Sequence, residues 1–215
     1  VSSALNELTR SGYDLERIRE IAQNIEAQII SVPTGCQDYY PAMYGGIGAI
    51  ELSPAGIKRI ALPVDAGELE RRTVLAYTGK PRNSGINNWE VMKAHIDGDP
   101  QVFQNFEEIA AIAFALRASL EKRDWTETAR LIREEWSHRR KNAPAITTDL
   151  IDHLIEITRA EGAQAAKVCG AGGGGCVFFL VEPDAKQRVA AAIENAGAQV
   201  LPVQVARRGL QLSVS

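Results

Sequence analysis

Residues 170–175 read Gly-Ala-Gly-Gly-Gly-Gly, set between Lys167-Val168-Cys169 and the apolar run Cys176-Val177-Phe178-Phe179-Leu180. Glycine loses more backbone freedom on folding than any other residue, so this run belongs neither inside a helix nor in a strand. It must be the connection between two strand-like flanks. One reading is a flexible hairpin loop. The other is a loop whose bare backbone takes positive φ and turns successive N–H groups into one concavity suited to an oxyanion. Five glycines in six positions favour the second. Gly170, Ala171, Gly172, Gly173, Gly174 and Gly175 are therefore the candidate phosphate-proximal loop. No Lys-Ser/Thr pair follows, so the loop is not a P-loop, and alone it says only that an oxyanion lies nearby.

With 215 residues, 45% hydrophobic, the chain can bury the core of one large or two small domains. A net charge of −3 and only short basic runs (Arg139-Arg140-Lys141, Arg207-Arg208) argue against a nucleic-acid partner. Three cysteines without a CxxC pair give no disulfide framework and point to a reducing, cytoplasmic setting. No stretch is long and apolar enough to span a membrane, and no signal peptide is visible. The histidines (His95, His138, His153) are too scattered for a metal triad, and Trp89, Trp125 and Trp136 read as packing residues.

In chain order, helices are expected over about 2–10 and 14–30. In the second, Leu15, Ile18, Ile21, Ile25 and Ile29 make one apolar stripe with Glu26 beside it. Pro33-Thr34-Gly35 ends that helix and opens a loop, Cys36-Gln37-Asp38-Tyr39-Tyr40-Pro41, running into Tyr44-Gly45-Gly46. Strands are expected at 48–52, 57–62 and 73–77, the last followed by a polar loop over 78–85. Three helices follow: one with a Val102, Phe106, Ile109, Ala113, Leu116 and Leu120 stripe, then 125–140 and 147–161. After the glycine loop come a strand, a helix over 184–195, and strands at 199–206 and 210–214. The order is that of an α+β fold. The shift near residue 70 from small strands to long helices is the expected domain boundary, giving 1–70 and 71–215.

Asp38 lies in a loop with glycines and aromatics on both sides, where little side-chain bulk would surround its carboxylate. Phosphoryl transfer needs an oxyanion cradle, a carboxylate for Mg²⁺ and an acid facing the attacking hydroxyl. This chain has one candidate for each. Ile25-Glu26, Gly35-Cys36-Gln37-Asp38-Tyr39, Tyr44-Gly45-Gly46, Tyr77-Thr78-Gly79 with Arg82 and Ser84, and the segment 167–175 together resemble the GHMP small-molecule kinases. The heptose-phosphate kinases are the most similar branch, and the resemblance runs over essentially the whole chain.

The resemblance implies the end of a ribosomal-S5-like N-terminal domain, followed by a ferredoxin-like GHMP C-terminal domain with inserted helices. It implies an ATP- and Mg²⁺-dependent kinase acting on a sugar or sugar phosphate, with a homodimer allowed and no membrane partner. It makes Asp38 the catalytic residue and Glu26 the metal ligand, twelve positions earlier. It places residues 170–175 against the reacting phosphate and Gly35, Gln37, Tyr44 and Arg82 at the substrate. The family's first two motifs, including its Gly-Leu-Gly-Ser-Ser type nucleotide loop, are not found. The chain is therefore expected to be the C-terminal two-thirds of a kinase and weak or inactive alone. Tyr39 stands where the family would have glutamine. The alternatives are another GHMP specificity (galactose, fucose, mevalonate or homoserine) and a non-catalytic binding relative.

Overall fold

The structure is a computed structural model that describes residues 1–32, 34–81 and 84–213, without the side chains of 84–88. The described chain forms two compact units, residues 1–66 with 205–215, and residues 67–204.

The first unit opens with α1 (Ser2–Thr9) and α2 (Leu15–Ile30), separated at Ser11-Gly12. Asp14 caps α2, its carboxylate accepting from the Arg17 amide at 2.8 Å, which satisfies one orphan donor of the first turn. A short α3 (Tyr39–Tyr44) and the hairpin β1 (Gly48–Ser53) and β2 (Gly56–Ala61) complete its regular structure. α3 lies in the stretch expected to be loop. The apolar stripe on α2 buries only Ile18, while Ile25 and Ile29 remain 49% and 76% exposed.

Residues 205–213 return to this unit without forming a ladder. The Gly46 amide donates to Ala206 at 2.7 Å and the Leu210 amide to Met43 at 3.1 Å. This corrects the strand expected at 210–214 over residues 210–213, Val214 lying outside the described residues, and β6 (Gln199–Leu201) ends short of the expected 206, where Pro202 lacks an N–H. Gly45, at φ +64°, sits so close to this segment that a Cβ would meet the carbonyl carbon of Arg208 at 2.6 Å. The Tyr-Gly-Gly sequence thus serves close backbone packing.

The second unit is built on an antiparallel sheet in the order β4-β5-β3-β6, from β3 (Thr73–Tyr77), β4 (Ala163–Val168), β5 (Cys176–Val181) and β6. Its helices are α4 (Ala66–Arg71, mostly in this unit), α5 (Ser84–Ile96), α6 (Pro100–Glu121), α7 (Trp125–Arg139), α8 (Asp149–Ala160) and α9 (Lys186–Asn195). With α8 between β3 and β4 and α9 between β5 and β6, the unit is a split β-α-β arrangement, an α+β fold. Strand alternation divides the core. Val74, Ala76, Ala166, Val168, Val177, Phe179 and Val181 pack with α8 and α9, whereas Ala165, Phe178 and Leu180 pack with α6 and α7.

On α6 the buried face is Val102, Asn105, Ile112 and Ser119, one residue off the expected stripe at three places, at two of which a polar side chain occupies it. Asn105 bonds Asn142 at 2.9 Å, and Ser119 bonds Thr128 at 2.9 Å, so both are satisfied. Trp89, expected to pack, is 51% exposed.

Candidate active site

In the second unit the glycine run connects β4 to β5, and the Cys169 amide closes the hairpin on the Cys176 carbonyl at 2.8 Å. All five glycines have positive φ, from +73° at Gly170 to +141° at Gly174. The loop is held on two sides. The Gly173 amide donates to the Ile146 carbonyl at 2.9 Å, in the short 3-10 turn Pro144–Ile146 before α8. The Gly175 amide donates to Lys80 at 2.9 Å, and its carbonyl accepts from both the amide and the hydroxyl of Thr78 at 3.0 Å. These two amides are therefore committed within the protein, and only part of the run is left for an oxyanion.

Gly172 and Gly174 are buried, and their amides donate to no protein acceptor among the described residues. A Cβ on Gly172 would meet the Ile146 oxygen at 2.2 Å, and one on Gly174 the Lys80 oxygen at 3.1 Å. The Gly173 and Gly175 amides pin the loop, while those of Gly172 and Gly174 have no protein acceptor among the described residues. Orphaned buried amides at positive φ suit a phosphate oxygen.

In the first unit, α3 runs back along α2, tied by three tyrosine hydroxyls to two glutamates. Tyr40 and Tyr44, one helical turn apart, both donate to Glu16 at 2.9 Å, and Tyr39 donates to Glu26. Arg19 pairs with Glu16 at 3.2 Å. Burial pushes the Glu16 carboxyl up, but the hydrogen bonds from Tyr44, Tyr40 and Arg19 outweigh it and hold the group below the usual range. The Tyr39 and Tyr40 phenols are pushed up to about 12, by burial first and then by their glutamate partners. Sequence reasoning missed Glu16 and Tyr40. The i, i+4 spacing of Tyr40 and Tyr44 was the available signal, but it only speaks once α3 is known to be helical.

Asp38 sits at the N-cap of α3, exposed, with no hydrogen bond or ion pair from its side chain among the described residues. Glu26 is exposed, and its one side-chain partner among the described residues is Tyr39. Gln37 is exposed and folds over Gly35, where a Cβ would meet its Oε1 at 2.2 Å. The Tyr44 hydroxyl is committed to Glu16, and Arg59 lies over its ring at 5.3 Å. Arg82 lies outside the described residues. Among the described residues, no group of three or more His, Cys, Asp or Glu could cage a metal. A Mg²⁺ site that draws on one carboxylate, substrate phosphates and water needs no such cage, so Glu26 fits that donor set.

Residues 116–199 match the family model "GHMP kinases C terminal", which spans α7, α8, the β4–β5 hairpin and α9. Over that segment the chain is similar to the C-terminal domain of the GHMP kinases. It is 26% identical over 202 residues to D-glycero-alpha-D-manno-heptose 7-phosphate kinase of Campylobacter jejuni, covering 90% of this chain and 58% of that protein. Mevalonate kinase of Thermococcus sibiricus is 36% identical over 76 residues, 35% of this chain and 22% of the relative. Among solved structures, a D-glycero-D-manno-heptose 1-phosphate kinase from Bacteriodes thetaiotaomicron has a TM-score of 0.69 at 23% identity, covering 98% of this chain and 60% of that one. The chain thus spans about three-fifths of the length of its full-coverage relatives. No described helix is long and apolar enough to cross a membrane.

Proposed function

We propose that the protein is a GHMP-type kinase that phosphorylates a hydroxyl of a sugar phosphate, a heptose phosphate foremost, with ATP and Mg²⁺. The observation that carries the reading is the rigid glycine loop, with two amides lacking acceptors among the described residues, inside the segment that matches the C-terminal domain of this kinase family. ATP with Mg²⁺ would supply the phosphoryl group and neutralise its charge. The chain's own part is positioning and electrostatics, which supply most of phosphoryl transfer. Gly172 and Gly174 would present their amides to phosphate oxygens. The Asp38 carboxylate, without a partner among the described residues, would take or anchor the acceptor hydroxyl's proton. Glu26, held by Tyr39, would offer an oxygen to the metal, and Gly35, Gln37, Tyr44 and Arg82 would border the acceptor.

The match to the Campylobacter jejuni kinase extends over both units and favours a heptose phosphate. The mevalonate kinase match is higher in identity but confined to 35% of the chain, so it speaks for the shared domain more than for the acceptor. A cytoplasmic setting and the end of an S5-like domain before residue 70 belong to the same reading. The test is a coupled ADP-release assay of the protein containing this chain across heptose phosphates, galactose and mevalonate, beside Asp38→Asn. Turnover should be best with the sugar phosphate and fall about 10²- to 10⁴-fold in the variant. Equal turnover in both removes Asp38 from the mechanism, and no turnover with any acceptor favours a binding module.

A further inference from the structure

In the second unit, α7 and α8 flank the start of β4, the edge strand of the sheet, and leave a cleft of about 580 Å³. Its floor is apolar, with Ala129, Ile155 and Ala165, and no Asp or Glu lines it. Two arginines do. Arg133 on α7 donates to the backbone carbonyl of Gln164, which holds its guanidinium against the strand edge. Arg159 on α8 has no ion pair or side-chain hydrogen bond among the described residues.

Two further lining residues carry buried polar atoms without partners, Nε1 of Trp136 and Oε1 of Gln164. Trp136 is only 5% exposed. The Gln164 amide cannot be turned round to relieve this. Its Nε2 donates to Glu182 at 2.7 Å, and a flip would set two oxygens against each other. The lining residues therefore include one unmet donor and one unmet acceptor, both buried, and two cationic groups. Buried polar atoms are nearly always satisfied. Ordered water could serve the two neutral atoms, but it gives no reason for two guanidiniums beside an acid-free lining. The volume is that of a small-molecule site.

We propose that this cleft binds a small oxyanion-bearing molecule. Arg133 and Arg159 hold its anionic end, in the manner that suits guanidinium to phosphate and carboxylate, while Trp136 and Gln164 meet its neutral polar part. The site is separate from the glycine loop, which follows the other end of β4, and it stands whether or not the kinase reading does. Its ligand class is a phosphate ester or a polycarboxylate.

The test is ¹⁵N NMR of the three tryptophan indoles of the full chain, assigned with Trp89→Phe and Trp125→Phe. Glucose 6-phosphate and citrate are titrated separately, against sodium chloride at matched ionic strength. The Trp136 signal should move saturably at about millimolar ligand or below while Trp89 stays still. The exposed Arg159→Gln should weaken the binding about ten-fold. Movement with the ester alone, with citrate alone or with both supports the site and names the anion. Three results overturn the proposal and leave ordered water only: no saturable movement with either ligand, movement equalled by chloride, or movement unchanged in Arg159→Gln. A phosphate that binds only at the glycine loop would give the last of these.

Discussion

Gly172→Ala is the sharpest test of how the glycine loop is built. At φ +79° an alanine costs roughly 1–2 kcal/mol of backbone strain. The added carbon would also lie 2.2 Å from the Ile146 oxygen, far inside the 3.4–4 Å of ordinary contact. That oxygen cannot retreat easily, because Ile146 is 4% exposed and part of the core under α8. It also accepts from the Gly173 amide, so displacing it strains the bond that pins the loop. Overpacking costs about 1–3 kcal/mol and a disturbed hydrogen bond about 1 kcal/mol more.

The proper reference is Gly197→Ala in the same unit, at φ +85° with nothing within 4 Å of a Cβ. It carries the strain without the clash. Urea unfolding of the two variants, followed by circular dichroism, should show Gly172→Ala less stable by about 2–4 kcal/mol, or about 5–10 °C in Tm. If the two lose the same stability to within about 0.5 kcal/mol, the close approach to Ile146 is not what these glycines are for.

Tyr39→Phe releases Glu26 from its hydrogen bond. Because both residues are partly or fully solvent-facing, stability should change by less than about 1 kcal/mol, while the Mg²⁺ concentration giving half-maximal turnover rises several-fold. An unchanged metal requirement would separate Tyr39 from the site. Glu135 on α7 is buried and pairs with Lys167 of β4 at 2.8 Å. Burial raises its carboxyl, but Lys167 and Arg139 outweigh that and hold it below the usual range. Glu135→Gln strands the Lys167 ammonium and should cost about 3 kcal/mol in urea unfolding. In the parent chain this contribution should fade as pH falls below the unfolded carboxylate's pKa, the sign for a depressed acid. In strong alkali the tyrosine–glutamate ties have the opposite sense. With the Tyr39 and Tyr40 phenols raised to about 12 from 10, their stabilisation is complete below pH 10 and should be lost between about 10 and 12. A first unit that keeps its stability over that window, read by differential scanning fluorimetry against pH, would refute the assignment.

The amino-acid sequence determined the parts of this protein that depend on local chemistry. The glycine run had to be a strand-to-strand loop, because nothing else tolerates five such residues in six. The apolar run through Val177–Val181 marked a strand, and periodicity marked helices over about 14–30 and 125–140, whose starts Asp14 and Asp124 cap. The tertiary structure decided which backbone groups the loop uses. That Gly173 and Gly175 spend their amides on Ile146 and Lys80 depends on carbonyls 27 and 95 positions away, which no local pattern encodes. The same holds for Glu16, whose meaning comes from two tyrosines of a helix that propensity did not announce, and for residues 210–213, expected as strand, where the Leu210 amide donates to Met43 instead of a neighbouring strand. Periodicity reports which side of an element is apolar, but only packing says what that side meets and which polar groups it leaves without a partner.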